Sequence, residues 1–282
     1  MKKKVDIILI NWNGLKFTRP CVQTLYRNTK YPFNLILYDN ASTEKGTIEY
    51  LRELESKYSN VIIHRNEIPD SGYTEGVNIA LDYCKEDYVC LLNNDVIIPK
   101  NSYWLTKLVK TLETDRDIAI VGPKLLYPND TIQSAGSYLA PNAFSEFTWP
   151  FYHRGRFKPK NEYSLIEEIG CITFAVIVAR RELFGKMDTL YRVGSFGDTD
   201  KCMEILDNGY RIMYNGKVYL YHYETATHFM QDQTMWKAAQ LRNLRIFRAK
   251  WIPWLKEKVK ERPELFGWDS KMILAATMRR LI

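Results

Sequence analysis

Along the first 122 residues the apolar positions alternate between short continuous runs and stretches with helical spacing. Val5–Asn11 is an apolar run, Leu15–Asn28 has helical spacing, and residues 34–38 form a short strand that ends on Asp39. Residues 43–58 read as a polar-faced helix, 61–64 as a strand and 74–84 as a helix. Tyr88–Leu92 is a strand, 103–113 a helix and 118–121 a further strand. Apolar runs that alternate with helices imply βαβ units, so the pattern predicts an α/β fold with a doubly wound, mainly parallel sheet. Ligands of such sheets sit beyond the carboxyl ends of the strands. The polar residues at those ends are Asn11, Asp39, Asn66 and Asn93-Asn94-Asp95.

From residue 127 to 163 the pattern fails. Prolines, glycines and aromatics (Tyr138, Phe144, Phe147, Trp149, Phe151, Tyr152) follow no clear period, and so long an aperiodic stretch predicts a functional loop or lid. Residues 172–178 restore a strand, 180–185 a helix, and 199–208 a helix that stops at Gly209. Strands follow at 211–214 and 218–221, and after Gln231 the chain is helical, interrupted at Pro253 and Pro263.

Composition narrows this picture. A chain of 282 residues with 46% hydrophobic and 26% charged residues suits one large globular α/β domain. Five cysteines without a CxxC pair predict reduced, buried thiols. No apolar stretch approaches the roughly 20 residues that span a bilayer, and no signal region precedes the first strand, so a cytoplasmic location is expected. The net charge of +7 is concentrated in the tail, where residues 236–282 hold 12 Lys/Arg against 4 Asp/Glu. There Arg242, Arg245, Arg248 and Lys250 are interleaved with Leu241, Leu244, Phe247, Trp251 and Trp254. Such a helix packs its apolar face on the domain, or it docks on an anionic partner such as the inner face of a membrane.

Individual candidates carry two readings each. Asn93-Asn94-Asp95 suits a strand-to-turn transition, and equally a carboxylate for Mg²⁺ or Mn²⁺ bound to a diphosphate. Asp39 ends the second strand, where an acid takes nucleotide hydroxyls. Asn11-Trp12-Asn13-Gly14-Leu15 replaces the Gly-x-Gly-x-x-Gly loop of dinucleotide binding, which excludes a nicotinamide cofactor, and there is no Walker A loop. In Gly197-Asp198-Thr199-Asp200 an acid serves as a helix cap or as a general base. His222 and His228 are core histidines or metal ligands.

Four blocks in one order resemble the family 2 glycosyltransferases of the GT-A fold. They are residues 5–14 with 35–43 (ILYDNAST), 66–78 (NEIPDSGYTEGVN), 88–95 (ending LLNND), and 170–181 with 196–209 (FGDTDKCMEILDNG). The likeness spans roughly residues 5–230, and it is most specific to members with Asn-Asn-Asp in place of Asp-x-Asp. Many of these build bacterial surface polysaccharides with rhamnose or related sugars. The resemblance implies a GT-A sheet with a small antiparallel part and a C-terminal helical tail. It divides the chain into a catalytic domain, 1–230, and a basic amphipathic tail, 231–282. Residues 1–125 would be the nucleotide-binding half and 126–230 the acceptor-binding half.

The resemblance also implies roles. Asp39 would bind the base of the donor nucleotide and Asn93 would sit near the ribose, with Asn11, Asn66, Gly72, Asn78 and Asn94 completing the nucleotide-sugar site. Asp95 and His222 would hold Mn²⁺ or Mg²⁺, and Asp198 would deprotonate the acceptor. The implied partners are a UDP- or dTDP-sugar and a glycan or lipid-linked acceptor, with no nucleic acid. The family usually has Glu-Asp where this chain has Gly197-Asp198, which leaves Asp200 as the alternative base. Other readings are a sugar nucleotidyltransferase or a catalytically silent nucleotide-sugar or glycan-binding module.

Overall fold

A computed structural model describes residues 3–67, 72–191, 193, 195–224 and 233–282. Strands β1 (Val5–Asn11), β2 (Phe33–Asp39), β3 (Val61–Arg65) and β4 (Tyr88–Leu92) are linked by helices α1 (Leu15–Asn28), α2 (Thr47–Lys57) and α3 (Gly72–Asp82). β1 pairs in parallel with β2 and β4, and β3 pairs in parallel with β2. Alternate residues of β1 serve opposite faces. Ile8 joins the core under α3, whereas Ile7 and Leu9 join the core under α1 and α2. A strand covered on both faces has no exposed position for a polar side chain, which is why its apolar run is nearly continuous.

The second half continues with β5 (Val96–Ile97), α4 (Trp104–Leu112), β6 (Ile118–Leu126), β7 (Ile132–Ser134), β8 (Ser137–Leu139), β9 (Phe151–His153) and β10 (Ile166–Glu168). β11 (Val176–Arg180), α5 (Arg181–Phe184), α6 (Gly197–Asp207), β12 (Arg211–His222), α7 (Gln233–Glu261) and α8 (Ser270–Met278) complete it. The ten-stranded sheet runs β3-β2-β1-β4-β11-β6-β12-β10, with β5 on the end of β12 and β7 on the end of β6. β11 is antiparallel to both neighbours, β6 and β12 are parallel, and β8 with β9 forms a separate antiparallel pair.

Three departures from the sequence pattern have physical causes. The aperiodic stretch contains β7, β8 and β9, but strands of three residues are too short to establish a period. Lys124 holds its far end: the buried ammonium donates to Lys160 O (2.7 Å), Glu162 O (2.5 Å) and Ser164 Oγ (3.1 Å). The strand expected at 172–178 begins instead at Val176, where pairing with Leu92 of β4 starts. The two strands expected at 211–214 and 218–221 are one, β12, with an irregularity between Asn215 and Tyr219. Gly216 sits there because a Cβ would lie 2.1 Å from Tyr163 O.

The tail is built into the core. Leu244, Phe247, Leu255 and Val259 of α7 are each at most 2% exposed and join the cluster that includes α3 and α6. Burying each such side chain contributes about 1.5–3 kcal/mol. Polar contacts fix the same helix: Arg248 donates to Ala143 O (2.9 Å) and Thr148 O (3.1 Å), and Asn243 to Val193 O (2.7 Å). Among the described residues no helix is long and apolar enough to cross a membrane.

Candidate active site

The parallel register sets Asn11 beside Asp39 and Asp39 beside Arg65 at adjoining strand ends. The Asp39 carboxylate is fully buried. Its Oδ1 accepts from Asn11 Nδ2 (2.6 Å) and Ser42 Oγ (2.5 Å), and its Oδ2 from Ser42 N (3.2 Å) and the Arg65 guanidinium. Asn11 Oδ1 in turn accepts from Thr18 Oγ1 (2.6 Å), and Asn94 Nδ2 donates to that same hydroxyl (3.0 Å). The ends of β1, β2 and β4 are thus tied into one polar floor.

Around this floor the loops are held by local chemistry. Gly14 offers no side chain to cap α1, and Glu44 Oε2 accepts from Leu15 N (2.7 Å) instead. Asn66 N donates to Asp39 O (2.8 Å). Gly72 opens α3 with φ +71°, a conformation that favours glycine. Asn78 clasps Met187, donating to its carbonyl (2.8 Å) and accepting from its N–H (2.7 Å). Residues 68–71 of the expected binding block, and His228, lie outside the described residues.

Asp95 and His222 meet where β5 pairs with β12, Val96 opposite His222. His222 Nε2 lies 3.1 Å from Asp95 Oδ1 and 3.4 Å from Asn93 Nδ2. On the other side of the ring Nδ1 contacts Gln133 Oε1 at 2.6 Å. An amide oxygen only accepts, so Nδ1 donates to it, and Nε2 is the ring nitrogen that faces the carboxylate and would bind a cation. One oxygen and one imidazole nitrogen about 3 Å apart suit neighbouring positions on a Mn²⁺ or Mg²⁺ ion. No third His, Cys, Asp or Glu joins them among the described residues, so other ligands would come from the diphosphate or water.

Asp198 and Asp200 open α6 in opposite environments. Asp198 is half-buried; its Oδ1 accepts from Thr199 N (2.8 Å) and Thr199 Oγ1 (3.3 Å), and its Oδ2 takes no hydrogen bond among the described residues. Asp200 is fully buried and accepts from Trp251 Nε1 (2.7 Å) and Lys250 Nζ (2.9 Å) of α7. Gly197, where the family places an acid, has a spatial reason: a Cβ there would stand 2.7 Å from the Thr74 methyl of α3. Tyr73 and His153 stand close by. The Tyr73 hydroxyl pKa is raised by desolvation of its hydroxyl end, although the residue is 37% exposed, and the Asp198 and Asp95 charges add to it. Burial lowers the His153 imidazole pKa, against the opposing pull of Glu224 and Asp198. Sequence reasoning missed Arg65, Gln133, Tyr73 and His153; only Arg65, at the end of β3, carried the strand-end signal.

Comparison with known proteins follows this geometry. A family model described as glycosyl transferase family 2 matches residues 6–187. The uncharacterized protein y4gI of Sinorhizobium fredii is 28% identical over 257 residues, which cover 88% of this chain and 27% of that protein. The O-antigen biosynthesis protein RfbC of Myxococcus xanthus is 26% identical over 230 residues, covering 79% and 18%. The chain therefore spans about a quarter or less of these relatives. Among solved structures, GalNAc-T7 with UDP, GalNAc and Mn²⁺ aligns with a TM-score of 0.64 at 16% identity, covering 78% of this chain and 43% of that one. The mannosyltransferase PcManGT from Pyrobaculum calidifontis, in complex with GDP-Man and Mn²⁺, aligns at 0.56 and 15%, covering 100% and 81%. These likenesses establish the GT-A fold. With nearly two thirds of its length matched, the chain belongs to glycosyl transferase family 2.

Proposed function

We propose that this chain is an inverting glycosyltransferase that moves a sugar from a nucleoside-diphosphate sugar to a glycan or lipid-linked acceptor. The observation that carries the reading is the pairing of two groups at one end of the sheet: the Asp95–His222 donor pair, and Asp198 with a carboxylate oxygen that takes no hydrogen bond among the described residues. The structural neighbours were solved with UDP and with GDP-Man, and RfbC is named for O-antigen biosynthesis, so a UDP- or dTDP-sugar and a surface polysaccharide suit this chain. A hexosyl or deoxyhexosyl donor, and action on the cytoplasmic side of a membrane, are parts of the same proposal.

Asp39 anchors the nucleotide end. Its four acceptor positions are filled from within the chain, so contact with a nucleobase replaces one of them. Arg65, whose side chain is 33% exposed and whose guanidinium also donates to Ser42 O (2.9 Å), is the most accessible of these partners. Asn93 lies beside the donor pair, while Asn11, Asn94 and Asn78 hold the floor and its rim in shape. Asp95 and His222 would hold Mn²⁺ or Mg²⁺, which stabilises negative charge on the departing diphosphate. Asp198 takes the proton of the acceptor hydroxyl as that oxygen bonds the anomeric carbon. The bond from that carbon to the diphosphate breaks, and its electron pair leaves with the phosphate oxygen. The acceptor lies, in this proposal, along a crevice of about 450 Å³ lined by Tyr138, His153, Arg154, Arg156, Lys158 and Tyr163.

The test is transfer and hydrolysis across a panel of nucleotide sugars with and without Mn²⁺. Turnover that requires a divalent cation and falls in Asp198→Asn supports the reading. Binding of a nucleotide sugar with no turnover on any acceptor would mark a silent binding module instead.

A further inference from the structure

We propose that Gln133 is the positioning residue that aims His222 at the bound cation. The inference rests on the metal reading above and adds to it a residue from the stretch of chain with no sequence period.

β7 reaches the site through an irregularity. Leu125 of β6 pairs with Ser134 and Leu126 with Ile132, so Gln133 is the extra residue of a bulge. A bulge re-aims a side chain and sharpens the local twist. The flanking backbone is pinned from the other side, with Ile132 N donating to Lys158 O (2.8 Å) and Phe157 N donating to Ile132 O (2.7 Å). Gln133 is 2% exposed, and its amide grips His222 twice. Nε2 donates to the His222 carbonyl (3.2 Å), and Oε1 accepts from Nδ1 (2.6 Å). The first contact fixes which end of the amide faces the ring, because a carbonyl oxygen accepts and does not donate. The second then holds the proton on Nδ1 and keeps Nε2 facing Asp95 Oδ1, 3.1 Å away. His222 closes β12, and its other ring contacts among the described residues, Asp95 and Asn93, lie at Nε2. Gln133, 89 positions earlier in the chain, supplies the orientation. Groups that hold the second nitrogen of a metal-binding imidazole set its tautomer and its basicity, and their loss typically weakens metal binding about 10–100-fold.

The test uses the full chain, with Mn²⁺ as the probe, alone and with UDP or GDP, and free Mn²⁺ read by electron paramagnetic resonance. Gln133→Leu is expected to weaken Mn²⁺ binding about 10–100-fold. Gln133→Glu, which still accepts from Nδ1–H, is expected to stay within about threefold of wild type. Nitrogen-15 NMR of the His222 ring in the Mn²⁺-free chain is expected to report a proton on Nδ1, the nitrogen that faces Gln133 Oε1. Gln133→Leu is expected to mix the two tautomers, and thermal melts confirm that each variant is folded. Wild-type binding with an unaffected Gln133→Leu overturns the inference and leaves the metal reading standing. A wild-type chain that takes up no Mn²⁺ under any of these conditions overturns both. A wild-type ring with no proton on Nδ1 overturns the inference without any variant.

Discussion

Asp198 and Asp200 occupy one turn of α6, and their partners separate their roles. Asp198 keeps its Oδ2 without a hydrogen bond among the described residues and sits at the helix N-terminus, whose dipole favours a carboxylate. Asp198→Asn is expected to lower turnover by at least about 10²-fold while calorimetric donor affinity stays near wild type. Asp200 instead pins α7 through Trp251 and Lys250. Asp200→Asn is expected to leave the chemistry largely intact and to cost about 1–3 kcal/mol of stability, read by urea denaturation. Activity lost in Asp200→Asn and kept in Asp198→Asn would reverse the assignment. His153 gives a pH signature. Burial holds its folded-state pKa below the ordinary 6.5, so the unfolded chain binds a proton there that the folded chain does not. The contribution is intact above pH 6.5 and is lost as pH falls from there through the lowered folded value. The drop in urea midpoint between pH 7.5 and pH 5.5 is expected to be smaller in His153→Gln.

At the scale of elements, the N-terminus of α6 is braced from two directions. Trp149 stacks on Phe196 (5.0 Å between ring centres, 15° between planes), and Phe196 packs on Phe247 of α7 (5.1 Å). Phe196 holds φ +86° immediately before α6, so these rings support a strained residue two positions from Asp198. Trp149, one of the aromatics of the aperiodic stretch, thus packs against the residue that precedes α6. Trp149→Ala is expected to cost about 2–3 kcal/mol and to lower kcat with little change in donor affinity. A raised acceptor KM with unchanged stability would mark Trp149 as an acceptor contact instead. From the α3 side, Thr74 closes the space at Gly197. Gly197→Ala is expected to destabilise the wild type and to be rescued by Thr74→Ser, whose missing methyl makes room; equal destabilisation in both backgrounds would refute the contact.

Across the whole molecule, the tail is a structural member of the catalytic core. Deleting residues 231–282 is expected to expose the cluster that Leu244, Phe247, Leu255 and Val259 close, and to give an aggregating chain. Part of the tail's charge is engaged internally: Arg242 donates to Leu190 O (2.6 Å), Arg248 to the 143–148 loop, and Lys250 to Asp188 and Asp200. Membrane contact is therefore proposed for the end of the tail, where Leu274 (61% exposed) and Met278 (77%) are flanked by Lys271 on one side and Arg279 and Arg280 on the other. Sedimentation with anionic vesicles is expected to fall with salt and in Arg279→Glu/Arg280→Glu. Binding indifferent to lipid charge would reject it.

The sequence alone determined the elements that obey a local rule. Strands buried on both faces must be apolar, so β1, β2 and β4 stood out, and so did Asn11, Asp39 and Asn93-Asn94-Asp95 where those runs stop. Asp39 and Asp95 were legible because a strand end is visible within a few residues. The tertiary structure decided what depends on register and close approach. Gln133 meets His222 through a bulge and a strand pairing between distant segments, Asp200 meets α7, and Gly197 faces Thr74. None of these contacts leaves a period or a motif in the chain. Each is set by how elements far apart in sequence pack, and side-chain type alone carries no record of that.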